Sequence, residues 1–212
     1  MDIIQRNLFR LLRSGAFNSD EKLEAMSAFK WDCLYQLAVM HEVIPYAYKG
    51  LMNCKNQFFL HLTDKQWKEW QKTAEKAKRN QQDMNEEEDD FLRPDHLTNP
   101  VLNHKLQDIL DDEHSDISTR HLLLLLISIV RHILNEGMPI HQLLQLGVFL
   151  RQEGSKVDFE TLGKWISSLN LSPMCQLEGQ CLILLYGFQS EELPFLQDKK
   201  DKRVEAIAQE LL

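Results

Sequence analysis

Residues 118–136, STRHLLLLLISIVRHILNE, form the most apolar segment of the chain, and this segment decides the fold. Apolar residues lie on nearly every side of a helix drawn through it, which predicts a core helix rather than a surface helix. Its apolar part ends at Arg131, well short of the ~20 residues needed to cross a bilayer. Gly137 ends the helix. We expect Leu124 and Leu126 to be buried.

Amphipathic segments with the same periodicity surround this helix. Apolar residues recur every three or four positions, and only 8 glycines and 6 prolines interrupt the 212 residues, so helix is favoured throughout. Asp158 stands where a following helix needs an N-cap acceptor. The predicted helices after residue 100 other than the core helix cover 101–110, 140–150, 159–169, 174–188 and 198–212.

The first forty residues predict two helices. Gly15 stops the first helix, because glycine is common just beyond a helix end. Asn18 followed by Glu21 has the spacing of a capping box and would open the second helix, which continues to about Met40 with a break at Trp31.

Two more helices are predicted before the middle of the chain. Residues 45–52 form a short helix with proline in its first turn. Thr63 with Gln66 repeats the capping signature and opens a polar helix that runs toward Met84. This helix continues into the acidic run 86–90, which favours a position on the surface.

These segments predict an all-α fold, a compact multi-helix bundle of about eight to ten helices with no substantial sheet. We predict one domain over residues 1–212, in which an N-terminal half (1–90) and a C-terminal half (91–212) share a core.

The charge of the chain constrains its partners and its location. The formal net charge of −8 opposes non-specific binding to nucleic acid or to anionic membranes.

The four cysteines contain no CxxC pair and are expected to be buried thiols. Charged residues interrupt the apolar positions of the first 17 residues, unlike a signal peptide, so we predict a cytoplasmic protein.

No sequence motif identifies an enzyme. The chain contains no P-loop, dinucleotide-binding glycine motif, nucleophile elbow or HExxH. Gly154 and Ser155 resemble a phosphate-binding turn, but Asp158 follows too soon and is interpreted as an N-cap. The acids at 86–90 and 111–113 are interpreted as solvated charge runs. We therefore predict no catalytic, cofactor-binding or metal-binding residue and no cofactor.

Two weaker alternatives involve particular side chains. In the first alternative, His141 approaches His132 across the turn at Gly137 and forms a small-molecule or metal site, although polar roles at a helix end are favoured. Trp67 and Trp70, which lie among lysines, could contact phosphates. We favour an interpretation in which these tryptophans anchor a surface helix and the lysines keep it soluble.

Several segments resemble one protein family. They are FKWDCLYQLAVMHEVIPYAYKGL at 29–51, NPVLNHKL at 99–106, HLLLLL at 121–126, HILNEG at 132–137 and QLLQLGVFL at 142–150. In this order they resemble the helical N- and C-terminal parts of a large family of uncharacterised bacterial nucleotidyltransferase-like proteins.

The resemblance implies the helical flanks of that family without its catalytic palm. The family places the palm, with its metal-binding aspartates, between the two flanks, where this chain has only residues 91–99. The resemblance therefore implies a non-catalytic binding or scaffold protein whose partner is another protein or a second copy. Alternatively, the chain is the helical subunit of a nucleotidyltransferase, and a palm from another chain docks between Met84 and Pro100.

Overall fold

Helices form all of the regular structure in the described residues, which in the computed structural model are 1–57, 60–83, 95–112, 115–135 and 139–196. Within these ranges there are nine α-helices (α1–α9) and no β-strand. The predicted all-α class is confirmed. The chain divides into two compact units between Glu87 and Glu88, close to the predicted division after residue 90. A core shared by the two halves stays a prediction, and the predicted helix over 198–212 lies outside the described residues.

The described part of the first unit contains four helices. They are α1 (Ile3–Phe17), α2 (Ala28–Met40), α3 (Ile44–Asn53) and α4 (Asp64–Asp83). The capping box predicted for α4 is confirmed, because the Gln66 side chain accepts from the Thr63 N–H and the Thr63 hydroxyl accepts from the Gln66 N–H. The short helix predicted over 45–52 is also confirmed.

The prediction that Gly15 stops the first helix is wrong. Helix α1 continues to Phe17, and Asn18 ends it in the left-handed region, with φ of 56°. Gly15 instead lies where α1 crosses α3. A Cβ atom on Gly15 would overlap the carbonyl oxygen of Tyr46 and lie 2.8 Å from the backbone nitrogen of Gly50. Glycine is therefore required here for close packing of two helices rather than for a helix end.

The predicted start of the second helix is also wrong. Residues 18–27 are not helical, and α2 begins at Ala28 with Ser27 as its N-cap. The Glu21 carboxylate is 2.6 Å from the Arg13 guanidinium, so it binds α1 rather than the N–H of Asn18. Trp31 lies within α2 and marks no break.

Side-chain amides hold the segment 18–27 against α1 and the turn that follows α3. The buried Asn7 donates to the Glu24 carbonyl and accepts from the Glu24 N–H, both at 2.9 Å. Gln57 accepts from the Leu23 N–H at 2.9 Å and donates to the Glu21 carbonyl. These amides satisfy backbone groups that a helix or strand would otherwise satisfy.

The described part of the second unit is arranged around the apolar helix. Its helices are α5 (Pro100–Asp111), α6 (Ile117–Asn135), α7 (Ile140–Glu153), α8 (Phe159–Ser168) and α9 (Ser172–Tyr186). Helix α6 packs against α7, α8 and α9, which confirms its central position. Asp158 caps α8 by accepting from the backbone N–H groups of Glu160 and Thr161, as predicted.

The two leucines chosen from the sequence differ in burial. Leu126 is 0% exposed, whereas Leu124 is only half-buried, so the prediction is confirmed for Leu126 and wrong for Leu124. We expect Leu126→Ala to lower the free energy of unfolding by about 2 kcal/mol more than Leu124→Ala, because only the first change leaves a closed cavity. Urea unfolding of both variants measures the difference. Equal losses would contradict the placement of α6.

Candidate protein-binding face

The two histidines singled out from the sequence are both held by neighbouring polar groups. His132 Nδ1 lies 3.0 Å from the Ser128 carbonyl oxygen, and its Nε2 lies 3.1 Å from the Gln142 amide nitrogen. His141 Nε2 lies 3.2 Å from the amide nitrogen of Gln145 on its own helix. Across the described ranges, no group of three or more His, Cys, Asp or Glu residues could hold a metal ion.

The residues that resembled a phosphate-binding turn have a structural role. Gly154 and Ser155 belong to a short 3₁₀ turn, and Asp158 caps the helix that follows. Hydrogen bonds, first from the Thr161 hydroxyl, lower the pKa of the Asp158 carboxyl. The acidic run 86–90 lies outside the described residues.

The structure reveals a buried carboxyl group at Glu178 that our sequence analysis missed. Glu178 is 0% exposed on α9, and neither carboxylate oxygen has a hydrogen-bond partner within the described part of the chain. Burial raises its pKa well above the usual range. Cys175 and Cys181, three residues to either side, are buried thiols as predicted, as is Cys54, whereas the prediction is wrong for Cys33, which is half-buried. A group without solvent exposure cannot meet a substrate in this conformation, so Glu178 belongs to the core.

A polar cleft of about 310 Å³ lies between α2 and the start of α4. Gln66 holds the two helices together, because its amide nitrogen donates to the Ala28 carbonyl at 3.0 Å and to the Asp32 carboxylate at 2.7 Å. Tyr35 makes a second link through its hydroxyl group, which is 2.8 Å from the Thr73 hydroxyl. The side chains that line this α2–α4 cleft include Asp32, Tyr35, Gln36, Lys65, Gln66 and Glu69.

An exposed aromatic residue follows, in the sequence, one of the residues that line this cleft. Phe29 follows Ala28, which lines the cleft, and is 74% exposed. Full burial of such a side chain contributes about 1.5–3 kcal/mol. A partner that covers Phe29 would therefore gain affinity at this position.

Five basic residues of α4 form a straight line on its solvent side, which we call the basic ridge. They are Lys65, Lys68, Lys72, Lys76 and Arg79, and all are exposed. Their spacing of three or four residues places them on one face. The opposite face carries Trp70 and Ala74, which are buried. The predicted anchoring role is confirmed for Trp70, whereas Trp67 is half-buried.

The side chains of the basic ridge are not paired with carboxylates of the described residues. None of the five basic side chains forms an ion pair there, although Arg79 donates to the backbone carbonyl of Glu75. Like charges four residues apart, such as Lys68 and Lys72, destabilise a helix by about 0.2–0.5 kcal/mol per pair. Lys65 also lines the α2–α4 cleft, so the ridge and the cleft are continuous.

None of the helices in the described part of the chain is both long enough and apolar enough to cross a membrane. Comparisons with family models, with curated proteins and with solved structures gave no match. The resemblance to nucleotidyltransferase-like flanks therefore stays a prediction.

Proposed function

We propose that the chain is a non-catalytic protein-binding module that binds its partner through the outer face of the first unit. This face consists of Phe29, the α2–α4 cleft and the basic ridge. The observation that carries the proposal is the 74% exposure of Phe29, which follows directly on Ala28, a residue that lines the polar cleft. An aromatic anchor surrounded by polar and charged groups is typical of the energetically important centre of a protein interface.

The expected partner is a protein in the cytoplasm, either a different chain or a second copy. The net charge of −8 disfavours nucleic acid and anionic membranes as the main partner. A scaffold role agrees with the absence of a catalytic palm, which the resemblance to nucleotidyltransferase-like proteins implies. The alternative, in which a palm from another chain docks between Met84 and Pro100, concerns residues that lie mostly outside the described ranges.

Site-specific photo-cross-linking tests this proposal. We expect a photoreactive phenylalanine analogue at position 29 to give a covalent adduct of defined mass in cells that express the protein, because the partner covers this side chain. The adduct is detected by a shift on denaturing gels, and mass spectrometry identifies the partner.

The matched control places the same analogue at position 117. Ile117 of the second unit is 76% exposed, nearly the same as Phe29, but lies outside the proposed face. It should give little adduct. Equal adduct yields at the two positions, or no adduct at position 29, would contradict the proposed function.

A further inference from the structure

We propose that the basic ridge of α4 is the docking site for an acidic segment of the partner protein. This inference rests on the proposed function, because the inference specifies the chemistry of the partner that binds the first unit. The occupant is a protein segment with regularly spaced carboxylates that ends in an apolar residue near Phe29.

The length and spacing of the ridge fit such a segment. From Lys65 to Arg79 the helix advances about 21 Å, and successive basic side chains leave it about 4.5–6 Å apart. Carboxylates on one face of a helix have the same interval. Carboxylates on alternate residues of an extended chain lie about 7 Å apart. Either conformation places several carboxylates opposite the five basic groups.

The lack of ion pairs along the ridge, within the described part of the chain, favours an anionic occupant. Its five side chains face solvent without an ion-pair partner among the described residues, and like charges follow one another along the whole line. Carboxylates bound along the ridge would offset this repulsion and form charge-assisted hydrogen bonds. At the end of the ridge, Lys65 lines the same cleft as Ala28, the residue before Phe29, so an occupant that passes Lys65 and follows the cleft approaches Phe29.

The borders of the ridge favour a narrow protein segment over nucleic acid. Helical geometry places Glu69 on one side of the line and Glu75 on the other, and both are exposed. A single chain segment can follow the line of basic side chains without covering these carboxylates. A nucleic acid duplex is broader, so its phosphates would meet them, and the net charge of −8 repels its dense phosphate charge more strongly than the few carboxylates of a short segment. An exposed phenylalanine adds an apolar contact that suits a protein side chain.

Binding of a synthetic probe tests the chemistry of the ridge directly. The probe is a fluorescent helical peptide of about 16 residues, or about four turns, with glutamate every three or four positions on an alanine background. We expect fluorescence anisotropy to show saturable binding that weakens as salt rises from about 50 to about 500 mM. The double variant Lys68→Glu/Lys72→Glu should bind the peptide at least about tenfold more weakly, a loss of about 1.4 kcal/mol.

A matched variant separates the ridge from overall charge. Lys22→Glu/Lys49→Glu makes the same charge change at two exposed lysines of the first unit that are not part of the ridge, and its affinity should stay within about twofold of the unaltered protein. Equal losses in the two variants, or no binding of the peptide, would overturn the inference. Tighter ridge-dependent binding of a single-stranded oligonucleotide of similar length would also overturn it.

The cross-link at position 29 distinguishes failure of this inference from failure of the proposed function. We expect the adduct to be lost when Lys68→Glu/Lys72→Glu is added and to persist with Lys22→Glu/Lys49→Glu. An adduct that still forms in the Lys68→Glu/Lys72→Glu variant would overturn the inference that the occupant is acidic. It would leave the proposed protein-binding function unaffected. If no adduct forms even with the ridge intact, the proposed function itself fails.

Discussion

Gly50→Ala is expected to lower the free energy of unfolding by about 3 kcal/mol or more, the upper range for overpacking a core. A Cβ atom on Gly50 would overlap the carbonyl oxygen of Leu11 and lie 2.7 Å from its carbonyl carbon. The obstacle is backbone in the middle of α1, so no side chain can rotate away. Relief requires α1 and α3 to separate, which would open the packing of the first unit.

The sign of this effect distinguishes close packing from helix propensity. Glycine to alanine in an unobstructed helix stabilises by up to about 1 kcal/mol. Gly163 in α8 provides the matched control, because a Cβ atom there would meet no heavy atom within 4 Å. Thermal and urea unfolding should show Gly163→Ala unchanged or stabilised and Gly50→Ala strongly destabilised. A Gly50→Ala variant as stable as the unaltered protein would contradict the contact between α1 and α3.

Replacement of Glu178 by methionine is expected to raise the free energy of unfolding. Each buried polar group without a hydrogen-bond partner costs about 1–3 kcal/mol, and both oxygens of Glu178 are such groups. Methionine has a similar length, removes both oxygens and suits an irregular apolar core. Because the two oxygens belong to one carboxyl group, the expected gain is about 1–3 kcal/mol, measured by urea unfolding at neutral pH. A loss of stability would show that the carboxyl group has a stabilising partner.

The pH dependence of stability gives a second measurement on Glu178. Burial raises the pKa of the folded-state carboxyl above its usual value of 4.5, so the folded protein holds this proton more tightly than the unfolded chain. The resulting stabilisation is complete below pH 4.5 and is lost as the pH rises toward the folded-state pKa. The neighbouring Cys181 thiol, whose pKa burial raises to about 12, stays neutral in this range.

Glu178→Gln isolates this contribution, because glutamine keeps the shape of the side chain and cannot ionise. We expect the stability of the unaltered protein to fall relative to Glu178→Gln as the pH rises above 4.5. Parallel stability curves for the two proteins would show that Glu178 has the same pKa in the folded and unfolded states.

The sequence predicted helices well where local signals and periodicity agree. The Thr63 and Gln66 capping box and the Asp158 N-cap each depend on residues within one turn, and both are present. The signal at Asn18 and Glu21 failed because Glu21 instead binds Arg13, a tertiary contact that the spacing does not reveal. Local chemistry was sufficient only where no distant group competed for the same side chain.

The candidate face was only partly visible in the sequence. The spacing of Lys68, Lys72 and Lys76 already indicates one helix face. Their lack of ion-pair partners in the described part of the chain, and the exposure of Phe29, depend on how α2 and α4 pack. Glu178 could have been suspected, because it lies three residues from each of two cysteines that were expected to be buried.

The most direct measurement on the proposed function is the yield of photo-cross-linked adduct at position 29 relative to position 117. The two native side chains have nearly equal exposure, at 74% and 76%, so exposure alone predicts equal yields. Binding through the first unit predicts a discrete adduct with one partner protein at position 29 and little or none at position 117. Equal yields at the two positions, or an adduct confined to position 117, would contradict the proposed binding face.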